Sequence, residues 1–288
     1  MDGVVSNKGR KVLRRRVGEG SFVGVKRLQT REDLVEWFRH LYAYRYALNL
    51  ARRGGCRYVL DVGCGTGYGV DELSTSYIGV GVDIWGEGIA HAHKTYGERS
   101  HFALGSALNL PFRDDLFDLA VSFQVLEHIE PSLANQYLKE VRRVLRVRGT
   151  FILSTPNRRL RLLPHQRPWN PDHKKEYDAR ELKALINKVF EDVKITGLFA
   201  RKKVYYVEYL RVRQNPWFIY ILKPTTSILK TVIPKHITNM VKGFFRKKKV
   251  TRKHDERFNV SIEDFKLSER DLNSCIDLYA ICIKKTIS

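Results

Sequence analysis

The sequence predicts an α/β fold, a parallel sheet with helices on both faces, and three observations predict it. Short apolar runs alternate with helical stretches between residues 58 and 200. The first run ends in a carboxylate and a glycine loop, Tyr58-Val-Leu-Asp-Val-Gly-Cys-Gly-Thr-Gly-Tyr-Gly69. The second run ends in another carboxylate, Asp83. Strand–helix alternation implies parallel pairing, because a helix must carry the chain back to the starting edge of the sheet. A ligand of such a sheet sits at the C-terminal ends of its strands, where the strand order reverses.

The elements follow in order. Residues 31–52 read as an amphipathic helix, since Leu34, Phe38, Leu41, Tyr42, Tyr46 and Leu50 fall near helical spacing and Gly54-Gly55 ends it. Tyr58–Val62 reads as a strand, Gly69–Ser76 as a short helix and Tyr77–Ile84 as a second strand. Glu87–Tyr96 is a helix, His101–Leu104 and Phe117–Phe123 are strands, Leu133–Arg146 is a helix and Thr150–Ser154 a fifth strand. An irregular stretch rich in Pro and Arg (156–176) precedes a helix at 179–190 and a strand near 192–199. The alternation breaks over 205–265, which holds Pro224, Pro234 and the run Arg246-Lys-Lys-Lys249. It resumes at Asp277–Ile283, a closing strand. The expected organisation is a basic N-terminal segment (1–27), one α/β domain (28–204 and 266–288), and a basic amphipathic insertion or lid (205–265).

The charge follows the same division. The 288 residues carry a formal net charge of +21. Residues 1–27 hold eight basic against two acidic residues, and 201–257 hold 16 against three. Residues 28–200 are nearly balanced, 24 against 21. A basic excess confined to appendages suits an anionic partner, or simply a solvated flexible end. The four cysteines form no Cys-x-x-Cys pair and no zinc-spaced set with histidine, so free thiols in a reducing compartment are expected and no metal site is assigned. Met1 to Arg16 is polar and basic, unlike a secretory leader, and no apolar run approaches the ~20 residues of a spanning helix. The expected location is cytoplasmic, with contact at the inner membrane face as an extension.

The glycine spacing excludes one ligand. A dinucleotide loop needs Gly-x-Gly-x-x-Gly, and the position three after Gly65 is Tyr68. Asp83, at the end of the second strand, can accept hydrogen bonds from both hydroxyls of a ribose, or can act as a cap or turn residue. Asp61 can anchor the loop or reach a ligand's ammonium through a water, and in either case a charge beside such a turn must be partnered.

With Asp61 two residues before Gly63, the loop resembles the first motif of the class I S-adenosylmethionine-dependent methyltransferases. The block Leu110-Pro-Phe-Arg-Asp-Asp-Leu-Phe-Asp118, followed by Leu126-Glu-His128, resembles the type 11, ubiquinone-biosynthesis-like subgroup. So does Glu140-Val-Arg-Arg-Val-Leu-Arg-Val-Arg-Gly-Thr-Phe151. The resemblance covers about residues 56 to 200. It implies a Rossmann-like three-layer sandwich with a seven-stranded, mostly parallel sheet whose last strand is antiparallel. It also implies S-adenosyl-L-methionine as cofactor, held by Asp61, Gly63, Cys64, Gly65 and Gly67 of the loop, by Asp83 and Ile84, by Ser106 and Ala107, and by Gln124 beside the methionine part. One position departs from the pattern. Ser106 stands where the family usually has an acidic residue for the adenine amino group, so that contact loses charge assistance.

Methyl transfer from a sulfonium needs positioning and exclusion of water more than covalent help. A hydroxyl acceptor also needs a base, and histidine is the usual candidate. His128, at the end of the fourth strand, is read equally as base or structural residue. His173 is read first as organising its loop with Glu176 and second as touching substrate. The expected acceptor is a hydroxyl of a small-molecule, lipid-linked or glycan substrate. Residues 212–250, apolar at helical spacing with a basic flank, suggest an anionic membrane surface or a packed lid. Nucleic acid ranks below these because no RNA-binding module is evident. An RNA methyltransferase and a non-catalytic S-adenosylmethionine-binding protein remain as alternatives, and the oligomeric state is not legible.

Overall fold

The computed structural model describes residues 30–52, 55–162, 166–168, 170–213 and 259–285. The strands are β1 (Tyr58–Val62), β2 (Ile78–Asp83), β3 (His101–Leu104), β4 (Phe117–Phe123), β5 (Leu145–Pro156), β6 (Asp192–Ala200), β7 (Phe265–Ser268) and β8 (Asp277–Ile283). They form one eight-stranded sheet in the order β3-β2-β1-β4-β5-β8-β6-β7. β1 to β5 pair in parallel, and β8 runs antiparallel between β5 and β6. The chain moves outward from β1 to β3 and then crosses to β4 on the other side of β1. The strand order therefore reverses between β1 and β4, and the loops after those two strands face each other across the resulting crevice.

The helices are α1 (Arg31–Ala51), α2 (Tyr68–Leu73), α3 (Gly86–Tyr96), α4 (Ala134–Val144), α5 (Arg158–Arg161), α6 (Ala179–Ile186) and α7 (Lys202–Arg213). Side chains of adjacent strand residues leave opposite faces. On β4 and β5, Leu119, Val121, Phe123 and Ile152 pack toward α1 and α7 with Tyr44, Ala47, Val204 and Val207. Ala120, Phe151 and Leu153 pack toward α4 and α6 with Tyr137, Leu138, Leu182 and Ile186. Both faces are covered, which is why these strands read as continuous apolar runs. Phe151 is fully buried and stacks on Phe190 at 5.8 Å between ring centroids.

Two findings depart from the sequence expectation. The sheet has eight strands rather than seven. The added strand, β7, pairs antiparallel with β6 from Gly197↔Ser268 to Ala200↔Phe265. Only its first residue, Phe265, falls in the stretch read as insertion; Phe265-Lys-Leu-Ser268 is short and alternates apolar with polar, as an edge strand with one covered face does. α7 also falls partly in that stretch, and it packs on α1. The described ends of 205–265 thus belong to the α/β body. Residues 214–258, with nearly all of the amphipathic run and the whole lysine cluster, lie outside the described residues, as do 1–27.

The second departure is the register of α1. Thr30 caps it in a reciprocal capping box with Asp33. The buried face is Val35, Arg39, His40, Ala43, Tyr44, Ala47, Leu48 and Ala51, with Leu34, Phe38, Tyr42 and Leu50 only partly buried beside it. Small residues let the helix approach the sheet closely. Arg39 is drawn inside by two carboxylates, at 3.4 Å from Asp277 and 3.6 Å from Glu208. No helix among the described residues is long and apolar enough to cross a membrane.

Candidate active site

The loop after β1 turns on glycines in the left-handed region, with φ of 83° at Gly63, 56° at Gly65 and 84° at Gly67. Its backbone is tied to β2. Gly63 and Cys64 donate to the Val82 carbonyl at 2.8 and 3.1 Å, and Gly65 donates to Asp83 Oδ2 at 2.8 Å. A side chain at Gly67 would meet Ala92 Cβ at 2.6 Å and the Phe102 ring at 2.7 Å, so that glycine allows α2, α3 and β3 to close together. A Cβ at Gly65 would meet nothing within 4 Å. Gly65 borders the crevice, so its bare backbone is the surface a ligand would touch. Tyr68, three positions later, carries a ring that packs on Trp37 at 5.1 Å and Tyr44 at 5.5 Å. Gly69 instead takes the close approach, with the Tyr44 ring where a side chain would be.

The crevice is a cleft of about 360 Å³. Of the residues singled out in the sequence, Gly63, Cys64, Gly65, Asp83, Ile84, Ser106, Ala107, Gln124 and His128 line it; Asp61, Gly67 and His173 do not. Asp61 lies beneath the loop at 1% exposure. Its Oδ2 accepts from the Tyr44 hydroxyl at 3.0 Å, and its Oδ1 has no hydrogen-bond partner among the described residues. Burial pushes its pKa up to about 7, against the lowering effect of the Tyr44 bond, and the Asp83 charge adds to the rise. Tyr44 escaped the sequence reading. It sits 17 residues before Asp61 on a helix, and no local spacing links the two.

Asp83 is engaged by backbone on both oxygens, accepting from Gly65 N through Oδ2 and from Trp85 N through Oδ1, each at 2.8 Å. It therefore fixes the glycine loop to the end of β2. Each carboxylate oxygen accepts more than one bond, so capacity for hydroxyl donors remains. Ile84 beside it is 76% exposed within the cleft, an apolar platform. The Ser106 hydroxyl accepts from Leu108 N at 3.2 Å, which ties it to its own turn. The neighbouring Ala107 N–H makes no hydrogen bond among the described residues.

Gln124 ends β4 with φ 58°, a left-handed conformation that costs a non-glycine residue roughly 1–2 kcal/mol. It is held there by Gln124 N to the Ser154 carbonyl at 2.9 Å and by Nε2 to Ser154 Oγ at 3.2 Å. His128, at the end of the following 3₁₀ turn, has Nδ1 at 3.1 Å from the Asp172 carbonyl. A carbonyl only accepts, so Nδ1 carries the proton. The His173 ring meets the His128 ring edge to face at 4.9 Å. His173 Nδ1 is 2.7 Å from Glu176 Oε1, and Arg161 Nε donates to both Glu176 oxygens at 3.2 Å. Glu127 is 1% exposed and accepts from Thr155 Oγ1 at 3.0 Å. Burial pushes its pKa up to about 8, with its hydrogen bonds opposing and the Asp277 and Glu176 charges adding to the rise. The sequence reading named His128 but not Glu127, whose role depends on Thr155, 28 residues away.

Residues 60–153 match the family described as a methyltransferase domain. A probable S-adenosylmethionine-dependent methyltransferase of Mycolicibacterium smegmatis is 37% identical over 166 residues, 57% of this chain and 62% of that protein. A Mycobacterium tuberculosis protein with the same description is 37% identical over 57% of this chain and 58% of its own length. The alignments thus span about three fifths of those curated relatives. The crystal structure of a Thermotoga maritima S-adenosylmethionine-dependent methyltransferase, described as a possible histamine N-methyltransferase, shares the fold. It has a TM-score of 0.51 and 18% identity, covering 88% of this chain and 95% of that one.

Proposed function

We propose that this chain, whose residues 60–153 form a class I S-adenosylmethionine-dependent methyltransferase domain of the type 11 group, transfers a methyl group to a hydroxyl of a small-molecule, lipid-linked or glycan acceptor. The observation that carries the donor half of this reading is the bare face of Gly65, open to the cleft beside Asp83. Two further features fit S-adenosylmethionine. The buried Oδ1 of Asp61 is an unmet acceptor at the loop, suited to an ammonium directly or through water. Ile84 offers apolar area to an adenine ring and the Ala107 N–H a donor to its edge. Asp83 would hold the ribose with the acceptor capacity its backbone bonds leave, and Gln124 would border the methionine part.

When bound, this cofactor supplies an electrophilic methyl carbon with a neutral sulfide as leaving group. The chain's own part is to orient the acceptor in line, keep water out and receive a proton. His128 is suited to the last task, because its Nδ1–H···O=C bond to Asp172 directs the basic lone pair of Nε2. His173, turned to Glu176 and away from the cleft lining, is suited to hold the loop that carries Asp172. A lipid-linked acceptor is motivated by the basic apolar stretch 212–250, where each lysine near an anionic leaflet adds about 1 kcal/mol.

Incubation of cell extracts with the protein and methyl-labelled S-adenosylmethionine, followed by mass spectrometry, tests the reaction and its acceptor together. A product gaining one methyl on oxygen is expected. No labelled product from any fraction removes the enzymatic reading, and label on nitrogen or RNA replaces the acceptor. The lipid-linked form fails if the protein ignores anionic liposomes at low salt and deletion of 212–250 leaves activity on a soluble acceptor intact.

A further inference from the structure

Beside the cleft, Glu127, His128 and His173 bring one carboxylate oxygen and two imidazole nitrogens within 4.8 Å of one another. The geometry points to a binding site for a first-row divalent cation, held by these three side chains and reaching the cleft through His128, which lines it. Proximity alone would not carry this. The second observation is what lies behind each ligand. A histidine that binds metal through one nitrogen donates its other N–H to a carbonyl or carboxylate, which fixes the tautomer and raises the basicity of the ligand atom. Both histidines are arranged in that way. His128 Nδ1 faces the Asp172 carbonyl at 3.1 Å, and His173 Nδ1 faces Glu176 Oε1 at 2.7 Å. Glu176 is itself fixed by Arg161 Nε through both oxygens at 3.2 Å. In both arrangements Nδ1 serves as the donor, so Nε2 is the nitrogen a cation would take.

The electrostatic setting agrees. Glu127 is buried, and the charges that act on it most, Asp277 and Glu176, are negative. A cation at this point would offset both the burial of the carboxylate and its like-charged neighbours. Two donors each about 2.1 Å from a metal stand roughly 3.0–3.4 Å apart, so the three ligand atoms need to close by at most about 1.8 Å, shared among the side chains. Two imidazoles and one carboxylate suit Mn²⁺, Fe²⁺, Co²⁺ or Zn²⁺ better than Ca²⁺, which prefers an all-oxygen shell.

The site deepens the reading of the acceptor as a hydroxyl compound and rests on it for its use, though not for its existence. A cation here would grip one or two acceptor oxygens and acidify a bound hydroxyl, whose proton leaves to solvent. His128 would then be a ligand and no longer the base. An acceptor with neighbouring hydroxyls, such as a saccharide, fits two open coordination positions.

The test is a titration of the full chain with Co²⁺, followed by visible absorption, and with Mn²⁺, followed by electron paramagnetic resonance. One equivalent of Co²⁺ is expected, with the ligand-field bands of a nitrogen–oxygen site. Glu127→Gln and His128→Ala should each weaken Co²⁺ at least tenfold, and Glu176→Gln, which acts through His173, about tenfold. Glu127→Gln preserves shape, so a folded variant is available even if a histidine variant fails to fold. Co²⁺ binding to the wild type no tighter than to folded Glu127→Gln overturns the site. S-adenosylhomocysteine titrated into the same samples keeps the two readings apart. Its binding without Co²⁺ binding removes only the cation, and Co²⁺ binding without it removes only the donor.

Discussion

On the side of β1, β2 and β3 the cleft wall is largely backbone. Gly63, Gly65 and Gly67 turn in the left-handed region, and the amides of Gly63 and Gly65 bond to the Val82 carbonyl and to Asp83. On the side of β5, β6 and β8, behind the residues that line the cleft, lies an arrangement of buried charges drawn from distant parts of the chain. Arg39 of α1 faces Asp277 of β8 and Glu208 of α7; Glu127 faces Thr155; His173, Glu176 and Arg161 form a chain of contacts. The glycine-loop side is thus local and geometric, and the opposite side is long-range and electrostatic. A backbone site tolerates little substitution but costs little electrostatic energy. A buried charged cluster can be retuned by single side chains.

The largest effect should come from the charged side. Arg39→Met leaves Asp277 and Glu208 buried without their guanidinium, and removal of one partner of a buried pair costs about 3–5 kcal/mol. Chemical denaturation should read that loss, whereas a loss under ~1 kcal/mol would mean the pairing is incidental and the contrast between the two walls is overdrawn.

The next effect is a pH dependence. Folding raises the pKa of Asp61 from 3.8 to about 7 and of Glu127 from 4.5 to about 8. Both groups hold protons more tightly folded than unfolded, so their contribution to stability is complete below about 4 and is lost as pH rises through 7 to 8. An ammonium at Asp61 favours the ionised form. Affinity for S-adenosylhomocysteine should therefore rise with pH by up to about tenfold per unit below 7. Calorimetry at pH 5.5, 6.5 and 7.5 checks this, and Asp61→Asn should flatten the slope. An equal slope in wild type and variant would detach Asp61 from the ligand.

Two smaller effects sharpen the backbone side. Asp83→Ala should weaken S-adenosylhomocysteine by at least ~1 kcal/mol through lost charge-assisted bonds, read by calorimetry on the folded variant. Gly65→Ala should cost only about 1–2 kcal/mol of stability, for a left-handed alanine with open space around it. It should nevertheless impair ligand binding far more than thermal unfolding. Equal damage to both would mean that Gly65 serves the fold and not the ligand.

The same contrast explains what the sequence disclosed. β1, β3, β4 and β8 begin and end where their apolar runs do. Most of the residues that the glycine spacing and Asp83 singled out line the cleft. These features depend on neighbours within about one turn or one strand. Tyr44, Arg39 and Glu127 depend on partners brought close only by the fold, so no spacing announced them. The register of α1 was misread for that reason: Leu34, Phe38, Tyr42 and Leu50 suggested the buried face, but it runs through Val35, Arg39 with its ion pairs, Tyr44 and Leu48. β7 was missed because its pairing with β6 joins residues 65 or more positions apart.

The most direct test of the account is a pair of calorimetric titrations of the full chain, one with S-adenosylhomocysteine and one with NAD. The account predicts saturable binding of S-adenosylhomocysteine and none of NAD, because Tyr68 stands where a dinucleotide loop needs its third glycine. Binding of NAD without S-adenosylhomocysteine would contradict it.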